Sequence, residues 1–398
     1  MRFTSLLVLL LLLPATASAE SWCAYPLWVH EWGVQAFDAN GAPTSPVAMP
    51  AWFHRDGTSG GAGGVATRDL PPDSGMRALP VLHFYSGGSL SSPIPVGVEV
   101  GFRQGDARLW YPEVDTRRPA ATANAPAAVR ARAALLTQRQ ALTPISGAAD
   151  RAPVPSDPTS QLRWDRLLLT AAPQHAAHAS HTPWVNALRD FYAMWVNGSH
   201  ESERFVFYEA RTTEHVALAL SRGDTWRPDH RHLILRNASA HDVHDVFITR
   251  REGANQYVFF APTIPAGRSA GFVLEDHRVS ARDFAAQTRG MLRQRLVDAA
   301  QPEPPTHYRW DMNDCTMMRD PALPVERADG HALYGHEVDA ILDVWGGTFF
   351  DGAGTTITYR EDNAYLDQVM PLSVYTDMYN FVLLRRAGLA VWRNVALP

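Results

Sequence analysis

The chain contains no lysine; all 36 of its basic residues are arginine. A Schiff-base enzyme, a P-loop NTPase, a Ser-Lys hydrolase and a protein kinase each place a lysine at the chemistry, so those classes are excluded. Cysteine is almost missing too: Cys23 and Cys315 are the only two in 398 residues, and no C-x-x-C can form. There is no G-x-G-x-x-G. An excess of positive charge is also lacking. The formal charge is -5, which gives no electrostatic case for nucleic acid, where a basic face is expected. Beyond the first twenty residues no stretch approaches about 18 consecutive apolar residues, so nothing there reads as a membrane span.

What is present at the start is informative. Met1-Arg2 is a short basic opening, Leu6 to Leu13 is an unbroken apolar run, and Ala17-Ser18-Ala19 is a small-x-small cleavage site. That order is the pattern of a secretory signal peptide over 1–19, with an apolar core too short to cross a bilayer. The mature chain is expected to begin near Glu20 and to work outside the cytoplasm, in periplasm or medium. Trp22 before Cys23 argues against a lipobox. In an oxidising compartment Cys23 and Cys315 can form a disulfide; two separate buried thiols are the alternative.

The hydrophobic fraction of 46% is that of a globular protein. Leu27 to Phe37 reads as a strand with Trp28, His30, Trp32 and Val34 on one face and Val29, Glu31, Gly33 and Gln35 on the other. Strands follow at Pro80 to Tyr85 and Pro95 to Phe102, the latter expected to form a hairpin with Leu109-Trp110-Tyr111. The composition then shifts to Ala, Pro, Arg and Thr, as in a linker. Trp184, Leu188, Phe191, Tyr192 and Trp195 are spaced for one amphipathic helix. Short strands recur from Arg204 to Leu274 with turn residues between them, the pattern of an Ig-like or related β-sandwich over Leu162 to His277. Ser280 with Asp283 makes a capping box for a helix toward Ala299. A helix at His336 to Trp345 and a closing hairpin, Phe381 to Leu384 with Leu389 to Trp392, complete the chain. The fold class is therefore α+β, predominantly antiparallel β. The expected organisation is 1–19 signal peptide, 20–115 β-rich region, 116–160 linker, 161–278 sandwich-like domain and 279–398 α+β region.

Several patterns carry possible chemistry. Gly57-Thr58-Ser59-Gly60-Gly61 has the letters of a nucleophile elbow without the strand and helix that hold its serine, so a loop is expected. His175, His178 and His181 could share a metal if helical; otherwise they lie in a solvated loop. His30-Glu31 and His336-Glu337 each begin a zincin signature that neither completes. Asp311 to Asp314 offers oxygen ligands without a calcium-loop pattern. The tryptophans could form a sugar-binding platform or pack in the core.

The H-E-W-G strand at His30 to Gly33, Pro80 to Tyr85, Leu109-Trp110-Tyr111-Pro112, the E-R-F-V-F-Y segment Glu203 to Tyr208 and Met370-Pro371-Leu372 together resemble an uncharacterised family of exported bacterial proteins. Where that family continues F-Y-R-G, this chain has Glu209-Ala210. The resemblance implies export and a shared fold; it supplies no activity.

Two functions remain open at this level. The first is a non-catalytic binding or structural protein of the cell envelope or secretome, with a glycan or envelope protein as partner. The second is a metal-assisted or acid/base hydrolase using His30, Glu31, Glu203 and Arg204, the four candidate binding residues. The hydrolase requires them to converge in one pocket. No cofactor is singled out. Arg204, if buried, needs a carboxylate partner, for which Glu31 is the first choice.

Overall fold

The computed structural model describes residues 25–44, 48–55, 76–77, 80–86, 93–103, 105–118, 160–212, 214–224, 229–304, 330–352, 354–376 and 380–398. The signal segment 1–19, both cysteines, the elbow-like Gly57 to Gly61, most of the 116–160 segment and Asp311 to Asp314 lie outside them.

The chain is mostly strand. β1 (Tyr25–Phe37), β2 (Pro43–Thr44), β3 (His54–Arg55), β4 (Met76–Arg77), β5 (Val81–Ser86), β6 (Ile94–Phe102), β7 (Gly105–Tyr111) and β8 (Thr116–Arg118) come first. Then follow β9 (Ser160–Thr170), helix α1 (Pro183–Arg189), β10 (Trp195–Asn197), β11 (Ser202–Glu203), β12 (Val206–Thr212), β13 (Leu218–Arg222) and β14 (His232–Asn237). Next are β15 (Val243–Glu252), β16 (Asn255–Ile264), β17 (Ser269–Val273) and β18 (Arg278–Val279). Helices α2 (Ala281–Ala285) and α3 (Met291–Leu296), joined by a π turn, and α4 (Gly335–Phe350) precede β19 (Gly354–Glu361), α5 (Asn363–Val369), β20 (Leu372–Thr376) and β21 (Asn380–Val395).

A 12-stranded sheet runs β18-β16-β15-β19-β21-β1-β5-β12-β7-β3, with β2 and β4 at its side. A six-stranded sheet (β11-β10-β9-β6-β20, with β8) and a three-stranded one (β13-β14-β17) complete the β structure. The named strands pair antiparallel except β1 with β21, which run parallel.

Alternation along β1 explains the layers. Trp28, Trp32, Val34 and Ala36 enter a core shared with Trp184 of α1, Leu292 of α3 and Trp345 of α4. Leu27 and Val29 point the other way, into a core with Val98 of β6 and Trp164 of β9. Further along, Val246 and Ile248 of β15 meet Leu233 and Leu235 of β14. Helices α1 to α4 thus cover one face of the large sheet, and the two smaller sheets together with α5 cover the other. β1 is buried on both sides, which is why its apolar residues occupy both alternating registers.

Four expectations change. The strands of Leu162 to His277 are divided among all three sheets, with β9 paired to β6, β12 to β5 and β7, and β15 to β19. Regular strand spacing shows that strands exist, not which ones pair. β6 and β7 form no hairpin: β6 lies between β9 and β20, whereas β7 joins the large sheet. The amphipathic segment is helical only to Arg189, and Trp195 belongs to β10. The closing segment is one 16-residue strand. Its Gly388, read as a turn residue, sits under Glu361 and Leu366, where a Cβ would lie 2.7 Å from Glu361 Oε2. Close approach, not a turn, requires glycine there. The Ser280 cap is present: its hydroxyl accepts from Asp283 N and donates to the Asp283 carboxylate.

Candidate functional site

His30 and Glu31 are neighbours in β1, so they face opposite cores. On the helix side, the two incomplete H-E dipeptides meet. His30 Nδ1 donates to Glu337 Oε2 at 2.7 Å, although 307 residues separate them. Glu337 is the third residue of α4, and the same oxygen accepts Tyr334 N at 2.9 Å, closing the helix cap. His83 of β5 is the cross-strand partner of His30. Its Nδ1 stands 3.8 Å from Glu337 Oε1, and neither ring nitrogen makes a hydrogen bond among the described residues. Tyr85 OH lies 3.2 Å from His336 Nε2.

This cluster is sealed: His30, His83 and Glu337 are each 0% exposed. Burial brings the His83 pKa down to about 3, against the pull of Glu337. Burial also acts to raise the Glu337 carboxyl, but His30, His83 and His336 outweigh it and bring it to about 2. Burial first, then Glu337, pushes the Tyr85 hydroxyl well above its ordinary range.

On the opposite face Glu31 is clamped by Arg386, its register neighbour on β21. Arg386 Nε and Nη2 both reach the Glu31 carboxylate, while Nη1 donates to Asp367 Oδ1 at 2.6 Å and Nη2 to Met370 O at 2.9 Å. Tyr208 OH also donates to Glu31. The crevice alongside has room for about one water.

Glu203 and Arg204 do not open β12. Glu203 ends β11 in the six-stranded sheet, β12 begins at Val206 in the large one, and Arg204-Phe205 is the crossing between them. Arg204 is therefore not paired with Glu31. Its Nη1 donates to Ala193 O and its guanidinium lies 4.8 Å over the Trp195 ring. Burial lowers its pKa against the raising effect of Glu203. Glu203 accepts from Arg189 at the end of α1, Oε2 from Nη2 at 2.6 Å and Nε at 3.0 Å, and Oε1 from Nε at 3.2 Å. The four candidate side chains go to different partners, His30 to Glu337, Glu31 to Arg386 and Tyr208, Glu203 to Arg189 and Arg204 to Ala193 O, while the backbone N of Arg204 donates to Glu203 Oε1 at 2.9 Å.

A second polar cluster stands where the two large sheets end together, at β3 and β11. His54 Nε2 donates to Glu201 Oε1 at 2.9 Å, and Glu113 N donates to Glu201 Oε2 at 2.7 Å. His178 Nε2 is 3.9 Å from Glu201 Oε1, and its ring stacks on Trp52 with centroids 5.0 Å apart. The segment around His175, His178 and His181 is irregular rather than helical. Two buried side chains hold it: Asn197 accepts from Gln174 N and Ser202 from His175 N, each at 2.8 Å. Beneath lies Tyr111, fully buried, whose hydroxyl makes no hydrogen bond among the described residues. Burial first, then the Glu201 and Glu203 charges, push that hydroxyl's pKa far up.

Among the described residues no group of three His, Cys, Asp or Glu is placed to hold a metal ion. Among them, too, no helix is long and apolar enough to cross a membrane. The residues that sequence reasoning missed are His83, Arg386, His54 and Glu201. For Arg386 a signal existed: a charged pair inside an apolar run, read as a turn, marks a buried partner equally well. Compared with protein-family models and with curated proteins, the chain finds no match in either.

Proposed function

We propose that the protein is a non-catalytic binding or structural component working outside the cytoplasm, and that the ionisable residues of its two distinctive strands fasten the fold. The observation that carries this reading is the dispersal of the His30, Glu31, Glu203 and Arg204 side chains onto different partners. A hydrolytic site needs acid, base and reacting atom within about 3 Å of one another. His30 and Glu31 face opposite cores, and the crevice at Glu31 is too small for a substrate. The basic start, leucine run and Ala17-Ser18-Ala19 support export, with a glycan or envelope protein as partner.

The test is a hydrolysis screen of the purified full chain against ester, amide and glycoside substrates, beside N-terminal sequencing of protein recovered from periplasm or medium. No turnover and a mature start at Glu20 are the expected results. Turnover abolished in a folded His30→Asn or Glu203→Gln variant overturns the non-catalytic reading. Retention of Met1 in a soluble cytoplasmic product overturns export.

A further inference from the structure

Three patterns that stand apart in the sequence meet at the rim where β3 and β11 end their sheets: His178 of the histidine tract, Tyr111 of L-W-Y and Glu203 of E-R-F. The rim is neither sealed nor loose. The His54, His178 and Glu201 side chains keep 29%, 42% and 13% of their surface in water. Asn197 and Ser202, buried and hydrogen-bonded to each other, pin the histidine loop from below. Such a site is built before any ligand arrives, which limits the ordering cost of binding.

Its charges are already answered. Glu203 is held by Arg189, and Glu201 by His54 and Glu113 N. A phosphate, a sulfate or an ammonium ion would therefore meet little free counter-charge. What remains on offer is hydrogen bonding from partly exposed side chains, the imidazoles of His54 and His178 and the Glu201 carboxylate, backed by the indole of Trp52, over which the Arg189 guanidinium also lies at 5.7 Å. One donor is in surplus. The Tyr111 hydroxyl is 0% exposed and makes no hydrogen bond among the described residues, stacked under His54 with ring centroids 6.0 Å apart. A buried hydroxyl left unpaired is costly, so a partner arriving with a ligand or its bridging water is favoured there.

We propose that this rim, formed by Trp52, His54, Tyr111, His178 and Glu201, is a carbohydrate-binding site that takes a neutral sugar unit. The assignment rests on the binding reading above and names its ligand class. Alternating hydroxyl groups suit the imidazole and carboxylate, and the apolar face of a pyranose suits the His178 ring, 42% exposed and backed by Trp52.

The experiment titrates the full chain at pH 7.5 with cellohexaose, xylohexaose, maltohexaose and chitohexaose by calorimetry, and pulls it down with insoluble cellulose, xylan, chitin and peptidoglycan. The soluble arm reads a sugar unit alone, and the insoluble arm a polymer surface. Binding of at least one sugar is expected, weakened at least tenfold by His178→Ala and by Glu201→Gln, and unchanged by His215→Ala, an exposed histidine outside the rim. Circular dichroism and melting checks that each variant is folded; if Glu201→Gln is not, His178→Ala decides. Binding to no sugar or polymer, capture of a protein partner alone, or binding that survives the rim substitutions overturns the assignment. New reducing ends during titration would overturn the non-catalytic reading instead, while leaving the location of the site supported if the rim variants also lose binding.

Discussion

The His30–Glu337 and His54–Glu201 pairs are the same two groups at nearly the same separation, 2.7 and 2.9 Å. The first lies under the N-terminus of α4 with both side chains at 0% exposure; the second keeps a sizeable part of its surface in water. Burial, not residue type, separates their roles. In the sealed cluster each unpaired atom costs the full desolvation of that group, so losing a partner propagates into stability. At the rim water replaces a lost partner at little cost, and the same groups stay free to meet a ligand. The Glu31–Arg386 pair, at 3% and 3% residue exposure, belongs with the sealed kind.

The largest expected break in this comparison is Glu31→Gln. Removing Glu31 leaves the buried Arg386 with only the half-exposed Asp367 as counter-charge and should cost on the order of 3 kcal/mol in urea unfolding. The counterpart Glu201→Gln should stay within about 1 kcal/mol. A double-mutant cycle should give at least about 1 kcal/mol of coupling for Glu31 with Arg386 and additive effects for Glu31 with Arg204. Equal costs for Glu31→Gln and Glu201→Gln would erase the distinction between interior and rim.

Acid sharpens it further. His83 is held at about 3 in the fold against an ordinary 6.5, so between those values the unfolded chain binds more protons and stability falls as pH drops. Glu337, at about 2 against 4.5, adds a loss of the same sign that begins near pH 4.5. Together they should remove on the order of 3 kcal/mol or more between pH 6.5 and 3, followed by urea midpoints across pH. His83→Phe should shrink the loss between pH 6.5 and 3 to what His331, held at about 4 chiefly by burial, His336 and Glu337 contribute; an unchanged acid limb would show that His83 is not among its sources.

Smaller effects test packing against orphaned polarity. Gly388→Ala should destabilise by about 1–3 kcal/mol, because the added methyl meets Glu361 and Leu366. Tyr111→Phe, which deletes a hydroxyl without a hydrogen bond among the described residues, should leave the unfolding free energy unchanged or raise it by at most about 1 kcal/mol. A clear destabilisation by Tyr111→Phe would mean that the hydroxyl already has a partner in the free protein.

The fold was legible where the signal is local. β1, β15, the helix cap at Ser280 and the helix at His336 all follow from alternation, capping residues or apolar spacing. Pairing was not legible, because alternation along β6 is the same whether its neighbour is β7 or β9. The candidate site divides in the same way. His30 and Glu31 were rightly read as facing opposite sides of one strand, yet the partners of both lie more than 300 residues away. His54 and Glu201 gave no local sign, since a lone histidine opening a two-residue edge strand and a glutamate in a tight hairpin look like ordinary surface residues. Only the ending of two sheets at one rim makes them neighbours.

The parallel match of β1 with β21 has a kinetic meaning. All 13 residues of β1, from Tyr25 to Phe37, find their partners between Asn380 and Trp392. During synthesis this central strand of the large sheet must wait more than 300 residues before its parallel neighbour exists. Closing so long a loop adds only modest entropy, but such non-local pairing slows folding and leaves β1 open until late. β1 thus lacks one of its two long neighbours until β21 is made, and deleting Asn380 to Val395 would remove half of the support of a central strand rather than trim an edge.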